Sequence, residues 1–328
     1  MKKLKGLGVI LILSLIFFTS CAKKPAVPEE VEKIINLIPE DNDVVVFVDL
    51  HKAAGIEFVN NALKEERFYK KSQEIIQRTG IDPKKDIFSV AYCLKLMEKG
   101  FDSGLAIFNL KYDKDLLLEY LKQETKELKK EDDNGITIYT VKEWDYTVAE
   151  EKKHKKITAA FLDESTIIYG DENHVKAAID VFHKKAENIF KNETLAPLIK
   201  QANTEALLWG ALYYPFQKNI KQMTAQNPML EGLEELKTGL LSLDYNNNIF
   251  TADIKVMGGD EAKIQKAAEF LNGLKAMGAM VDAKEPALGE LLNAVEITST
   301  AAYVNIFARI HEDLLNKLIE KRGKPKKR

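Results

Sequence analysis

Any chemistry in this chain has to rest on five histidines, two cysteines and a scatter of acids. Nucleophilic hydrolysis needs a Ser or Cys beside a His and an acid, often on a Gly-x-Ser-x-Gly elbow. No such elbow occurs, and Asp102-Ser103-Gly104 lacks both the flanking glycine and a strand-turn-helix context. His51, His154, His174, His183 and His311 contain no His-Glu-x-x-His or other close metal spacing. His174 and His183 lie nine positions apart on one expected helix, on opposite faces, and read as surface residues. Gly258-Gly259-Asp260 precedes a helix but lacks the Lys-Ser/Thr of a P-loop and a Gly-x-Gly-x-x-Gly run. A turn with an N-cap at Asp260 accounts for it. Asp41, Asn42 and Asp43 alternate like a calcium loop, without its later Gly and Glu ligands. Asp163, Glu164, Asp171 and Glu172 flank a hairpin and read as a solvated edge. No catalytic residue, metal site or cofactor is expected.

Two stretches suit binding instead. Trp209, Tyr213, Tyr214 and Phe216 gather where a strand passes into a helix and can line a ligand groove, with core packing as the competing reading. Lys321, Arg322, Lys324, Lys326, Lys327 and Arg328 form a basic tail suited to anionic lipid or polysaccharide, or simply a solubilising end. Formal charge is −2, from 48 basic and 50 acidic residues. That balance gives no case for a nucleic-acid partner, which needs a strongly basic face. Cys93 sits in the apolar run Val90-Ala91-Tyr92-Cys93-Leu94 and reads as a buried structural thiol.

The first twenty-one residues have an order of their own. Lys2, Lys3 and Lys5 precede an apolar run from Leu7 to Phe18, and Thr19-Ser20-Cys21 follow. This is the order of an export signal. The run is shorter than the roughly 20 residues that span a bilayer. Phe18-Thr19-Ser20-Cys21 resembles the lipobox of bacterial lipoproteins. That resemblance implies cleavage between Ser20 and Cys21 and acyl chains on Cys21, which would anchor the protein to a membrane. Ala22, in place of the Asp that retains such proteins at the inner membrane, points to the outer membrane, facing the periplasm in a diderm source. Losing Lys2, Lys3 and Lys5 leaves a mature charge of −5.

Behind this segment, residues 22–37 read as a tether and a short helix, 38–190 and 191–320 as two α+β domains, and 321–328 as the tail. Each half reads strand, helices, two strands, helix, two strands, helix. Val44 to Leu50 is a central strand; Ile87 to Leu96 pairs with Gly104 to Leu110, and Ile157 to Leu162 with Thr166 to Tyr169. The charged run Lys122 to Asp133 reads as a solvated helix end and loop, with a strand only from Ile136 to Val141. In the second half Ala206 to Tyr214 is a strand, Phe216 to Leu236 is helical, and Thr238 to Tyr245 pairs with Ile249 to Met257. A terminal helix is expected from Ile310. The expected fold is α+β: two similar halves, each a mostly antiparallel sheet with helices packed on one face. Pro39-Glu40-Asp41 before an apolar strand, and Tyr169-Gly170-Asp171 before a helix, resemble features of uncharacterised secreted or lipid-anchored bacterial domains, a resemblance that implies no activity.

The function expected from the sequence is non-enzymatic binding or scaffolding by a lipid-anchored envelope protein. It would meet the membrane through its acyl chains and an envelope protein or hydrophobic ligand through its folded part. A carrier of a hydrophobic ligand and an envelope hydrolase with an unfamiliar site stand as alternatives.

Overall fold

The computed structural model describes residues 27–323 except 63, 65, 98–99, 126–127, 149–150, 215–229, 231 and 280–285. Helix α1 (Glu29–Ile35) precedes β1 (Val44–Asp49). Three helices, α2 (Leu50–Ala54), α3 (Glu57–Ala62) and α4 (Glu66–Thr79), lead to the hairpin β2 (Ile87–Met97) and β3 (Gly100–Leu110). Then come α5 (Lys114–Glu124), β4 (Lys129–Asp133), β5 (Ile136–Val148), β6 (Glu151–Phe161), β7 (Thr166–Asp171), α6 (Glu172–Phe182) and α7 (Leu195–Ile199). The second half has β8 (Leu208–Tyr213), β9 (Thr238–Asn246), β10 (Ile249–Met257), α8 (Glu261–Ala279), α9 (Pro286–Asn293), β11 (Val295–Ser299), β12 (Tyr303–His311) and α10 (Glu312–Gly323).

Local chemistry sets many of these boundaries. The carboxylates of Asp49, Asp113 and Asp171 accept backbone N–H groups at the starts of α2, α5 and α6. Asn134-Gly135 and Asn247-Asn248 all have positive φ, which tight hairpin turns demand.

The α+β class with antiparallel pairing is the one the molecule has. Its strands form one 12-stranded sheet, ordered β11-β12-β10-β9-β8-β1-β2-β3-β7-β6-β5-β4. The halves meet where β1 pairs with β8, Val44 opposite Leu212 through Val48 opposite Leu208. Outward from this seam the order is β1-β2-β3-β7-β6 on one side and β8-β9-β10-β12-β11 on the other. The order of hairpins is therefore the same in both halves, with β4 and β5 added at one edge.

Directly paired residues share a face, so the register separates the two sides of the sheet. The first face carries Val45, Phe47, Ala91, Cys93, Ile107, Ile168 and Trp209, covered by α1, α6 and α7. In the second half this face turns polar, with Ser242, Asp253, Lys255 and Asn305 in register. The second face has an apolar row running Phe161, Ile167, Phe108, Val90, Val48, Leu208, Leu243, Ala252, Ala308 and Val295. Leu117 and Leu118 of α5 pack on one end of this face, and Ile264, Ala267 and Ala268 of α8 on the other. Among the described residues, helices thus lie on one face in the second half and on both faces in the first.

Other details differ from the sequence expectation. Lys129–Asp133 is a strand, not a loop, because an outermost strand tolerates the charges that a central strand excludes. Ile310 belongs to β12, and the helix begins at Glu312. Of the helix expected over 216–236, the described part holds only a single 3-10 turn at Leu233–Glu235. β5 runs on to Val148 and pairs with β6 from Glu151, making a ribbon where no element was expected.

Candidate functional site

Among the described residues, Ala53 of α2 and Phe58 and Val59 of α3 cover Leu243 and Phe250 on the second face, while the Val44 end of the sheet's middle, between α5 and α8, is left open. There Val44 and Val46 of β1, Gly210 and Leu212 of β8, Gly239 and Leu241 of β9, and Ile254 and Val256 of β10 line a trough of about 240 Å³. Every one of these side chains is aliphatic or absent. Leu212 is 39% exposed, and Tyr92 and Tyr169, on the same face, are each 42% exposed. Large apolar groups at that exposure leave unburied surface that favours an apolar partner.

Glycines shape the floor. A Cβ on Gly210 would come within 3.2 Å of the Val45 carbonyl, so that position is closely packed. On Gly239 the nearest atom would be 3.7 Å away, which leaves room for a side chain. Gly104 admits the Tyr92 ring, whose Cζ would lie 2.6 Å from a Cβ there. The trough is smaller than the ~300–1,000 Å³ of sites that bury a drug-sized molecule. It fits part of an aliphatic ligand rather than a whole lipid.

A larger cleft of about 570 Å³ opens at the Asp49 end of β1, lined in part by Lys33, Asp49, His51, Lys52, Ser89 and Asn109. Asp49 and Ser89 are register partners, and His51 follows two residues on. The Asp49 carboxylate accepts the Lys52 N–H at 2.8 Å and lies 3.5 Å from its ammonium. The His51 ring packs against Phe88, with centroids 6.4 Å apart. Ser89 and His51 form no hydrogen bond with each other. Lys33 and Lys52 are neutralised by Asp163 and Asp49, which leaves little charge to draw an ionic ligand.

Of the four aromatic residues singled out from the sequence as a groove, three are described. Trp209 is fully buried on the first face, stacked on Phe47 at 5.8 Å, on the side of the sheet away from the trough. Among the described residues its indole N–H has no hydrogen-bond partner. Tyr213 packs half-buried against the first-face core and donates its N–H to Asp43. Tyr214 donates its N–H to Lys237. Phe216 lies outside the described residues, as do Ser20 and Cys21 and, from the tail, 324–328. The same strand nonetheless supplies the trough through its alternate positions, Gly210 and Leu212. β8 is apolar on both faces, so its alternation alone does not say which face is open. Tyr92 and Tyr169 stood in the sequence only as parts of an apolar run and of a strand-to-helix motif, and Gly239 only as a strand position.

The titratable groups are dispersed. Burial pushes the Cys93 thiol up to about 12, so it stays protonated and unreactive at neutral pH. His174 is a correction to the sequence reading. It is half-buried, with Nδ1 enclosed, unbonded, and 4.0 Å from Asp171 Oδ1, because helix α6 folds this side down beside its own cap. His183 is exposed. Asp163 pairs with Lys33 at 3.3 Å, while Glu172 pairs with Lys156 at 3.1 Å and Lys176 at 2.9 Å. These acids serve separate ion pairs. Asn42 donates to the Pro39 carbonyl and Asp43 accepts the Leu96 N–H, so both close the entry to β1. Asp260 accepts the Lys263 N–H at 3.1 Å, as a cap does. Among the described residues no three His, Cys, Asp or Glu are grouped to hold a metal ion.

Among the described residues no helix is long and apolar enough to cross a membrane. No protein-family model and no curated protein matches the chain. Two solved structures, titled crystal forms I and III of TP0453, are similar over 88% of this chain. Form I is 12% identical with a TM-score of 0.46 and 96% of its own chain covered. Form III is 10% identical with a TM-score of 0.48 and 97% covered. Likeness at this level speaks to neither ligand nor site.

Proposed function

We propose that this is a non-enzymatic, lipid-anchored protein of the cell envelope that holds the aliphatic part of a hydrophobic ligand in the trough. The anchor follows from the export signal, Cys21 and the short tether behind it. Ala22 favours the outer membrane of a diderm cell. The observation that carries the binding role is the uniformly aliphatic lining of the trough. A polar ligand would lose its hydration there with nothing to replace it, whereas a run of methylenes gains about 25 cal/mol for each Å² removed from water. The small volume supports gripping part of a ligand over enclosing and carrying a whole one.

Gly239→Leu tests this, because Gly239 lines the trough and a Cβ there would make only ordinary contact, 3.7 Å from the Lys255 carbonyl. The wild-type chain should bind a fluorescent fatty acid saturably. The variant should keep its circular dichroism and lose at least tenfold in affinity. Equal binding by a folded Gly239→Leu chain, or no binding by the wild type, would sink the assignment. The anchor has its own test: Cys21→Ala should abolish labelling by radioactive palmitate and release the protein from membranes, and unchanged partitioning would refute it.

A further inference from the structure

Strands β5 and β6 continue past the sheet. β4 pairs with β5 only over Ile136 to Thr140, and β7 pairs with β6 only from Ile157 onward. Between these limits and the tip, residues 142–148 and 151–156 pair, among the described residues, only with each other and form a two-stranded ribbon. Its register is informative. Trp144 is opposite Lys155, Tyr146 opposite Lys153 and Val148 opposite Glu151, so these six positions share one face. Lys142, opposite Ile157, has the same parity. The other face takes Glu143 with Lys156, Asp145 with His154, and Thr147 with Lys152. One face therefore carries every aromatic and aliphatic residue of the free ribbon among three lysines and one acid.

From this juxtaposition we infer that the ribbon is a membrane-contacting arm, whose Trp144–Tyr146–Val148 face enters the interface of an anionic phospholipid bilayer. Trp and Tyr favour the headgroup level because one end of each ring is apolar and the other polar. Lysines beside them reach lipid phosphates while their stems lie along apolar surface. An acidic protein surface would match the lysines but leave Trp144 and Tyr146 without a reason to share their face. The ribbon stands apart from the trough, and the inference does not rest on the ligand proposed for it. The arm leaves from the Asp171 end of β7, whereas Lys33 of α1 pairs with Asp163 beyond the other end. Contact with the bilayer that holds the anchor requires the strands to lie along the membrane.

The chain has two tryptophans, and Trp209 is sealed in the core, which makes Trp144 the reporter. The mature chain, made without acyl chains, is mixed with vesicles of phosphatidylglycerol and phosphatidylcholine, and with vesicles of phosphatidylcholine alone. Anionic vesicles should shift the emission to the blue and sediment the protein, with binding that weakens as salt rises. Lys153→Gln with Lys155→Gln should weaken binding about 25-fold, at roughly fivefold for each lysine. Trp144→Ser with Tyr146→Ser should abolish sedimentation while the Trp209 emission stays native, which shows the fold intact. Unchanged sedimentation of that folded variant would overturn the inference. So would failure of the wild type to bind anionic vesicles, or binding to a soluble anionic polysaccharide but not to vesicles.

Discussion

Trp209 shows how a residue suited to recognition can be spent on packing. Its ring lies against Phe47 across the seam between β1 and β8, fully enclosed, with an indole N–H that finds no acceptor among the described residues. A buried donor left unpaired costs about 1–3 kcal/mol, while the ring removes a large apolar area from water. Two substitutions separate these effects. Trp209→Phe keeps a ring on Phe47 and discards the orphaned N–H, so lost area and relieved penalty nearly cancel. Urea denaturation should find it within about 1 kcal/mol of wild type. Trp209→Ala leaves a cavity and should lose about 3–5 kcal/mol. If Trp209→Phe were as damaging as Trp209→Ala, the N–H would have a partner and the accounting would fail. Gly170 sets a second constraint, since a Cβ there would lie 3.0 Å from Leu105 Cα and against the Gly104 carbonyl. Gly170→Ala should destabilise by more than 1 kcal/mol, whereas Gly239, where a Cβ would meet neighbours only at ordinary contact distance, should accept a side chain at little cost to stability.

At the level of elements, α6 is tied to two strands by one ion-pair chain. Lys176 bridges Glu131 of β4 and Glu172, each at 2.9 Å, and Glu172 reaches Lys156 of β6 at 3.1 Å. Burial alone would raise the Glu172 carboxyl, but hydrogen bonds from Lys176 and Lys156 outweigh it and hold it below the usual value of 4.5. A carboxyl depressed in the folded state adds stability above its unfolded pKa and loses it as pH falls through the folded one. The chain should therefore weaken below about pH 4.5 and be intact at neutral pH. Glu172→Gln should flatten that acid limb and cost about 0.5–1 kcal/mol at pH 7, a small figure because the group is partly exposed. A denaturation series from pH 3 to 7 on both chains checks it, and an unchanged acid slope in Glu172→Gln would rule the network out as its source. Elements of this kind were largely legible in the sequence. Tyr169-Gly170-Asp171 announced α6, and the hairpins β2–β3, β6–β7 and β9–β10 were read from paired apolar runs. What local pattern did not contain was the far side of each pairing. Lys129–Asp133 has the composition of a loop and is a strand only because β5 offers it an edge. The ribbon from Lys142 to Lys156 was missed for the same reason, although Trp144, Tyr146 and Val148 alternate as a strand does. The trough was invisible because it is assembled from β1, β8, β9 and β10, whose side-by-side order no local pattern contains.

On the scale of the whole molecule, the seam decides how the halves behave. Trp209 and Ala211 of β8 belong to the same buried cluster as Val45, Cys93 and Ile107, so the first strand of the second half is packed inside the core of the first. The backbone ladder is continuous from β11 to β4. Breaking the second half away would strip a central strand of one partner and expose that shared core, so the two halves should unfold together. The trough reinforces this coupling. Val44 and Val46 come from one half, and Gly210, Leu212, Gly239 and Leu241 from the other, so a ligand bound there stabilises only the joined state, by about 2.7 kcal/mol at a hundred times its Kd. A charge placed in the second half's outer core gives the sharpest test. Ala267→Asp buries an unpaired carboxylate beneath α8 beside Val304, well over 3 kcal/mol of destabilisation by the usual cost of such groups. If the molecule unfolds as one, the Trp209 emission at the seam and the far-ultraviolet circular dichroism should fall at a single midpoint, shifted equally for both. Were the circular dichroism to split into two steps while Trp209 kept its wild-type midpoint, the halves would be independent. The β1–β8 pairing would then be a contact between two domains rather than the middle of one sheet.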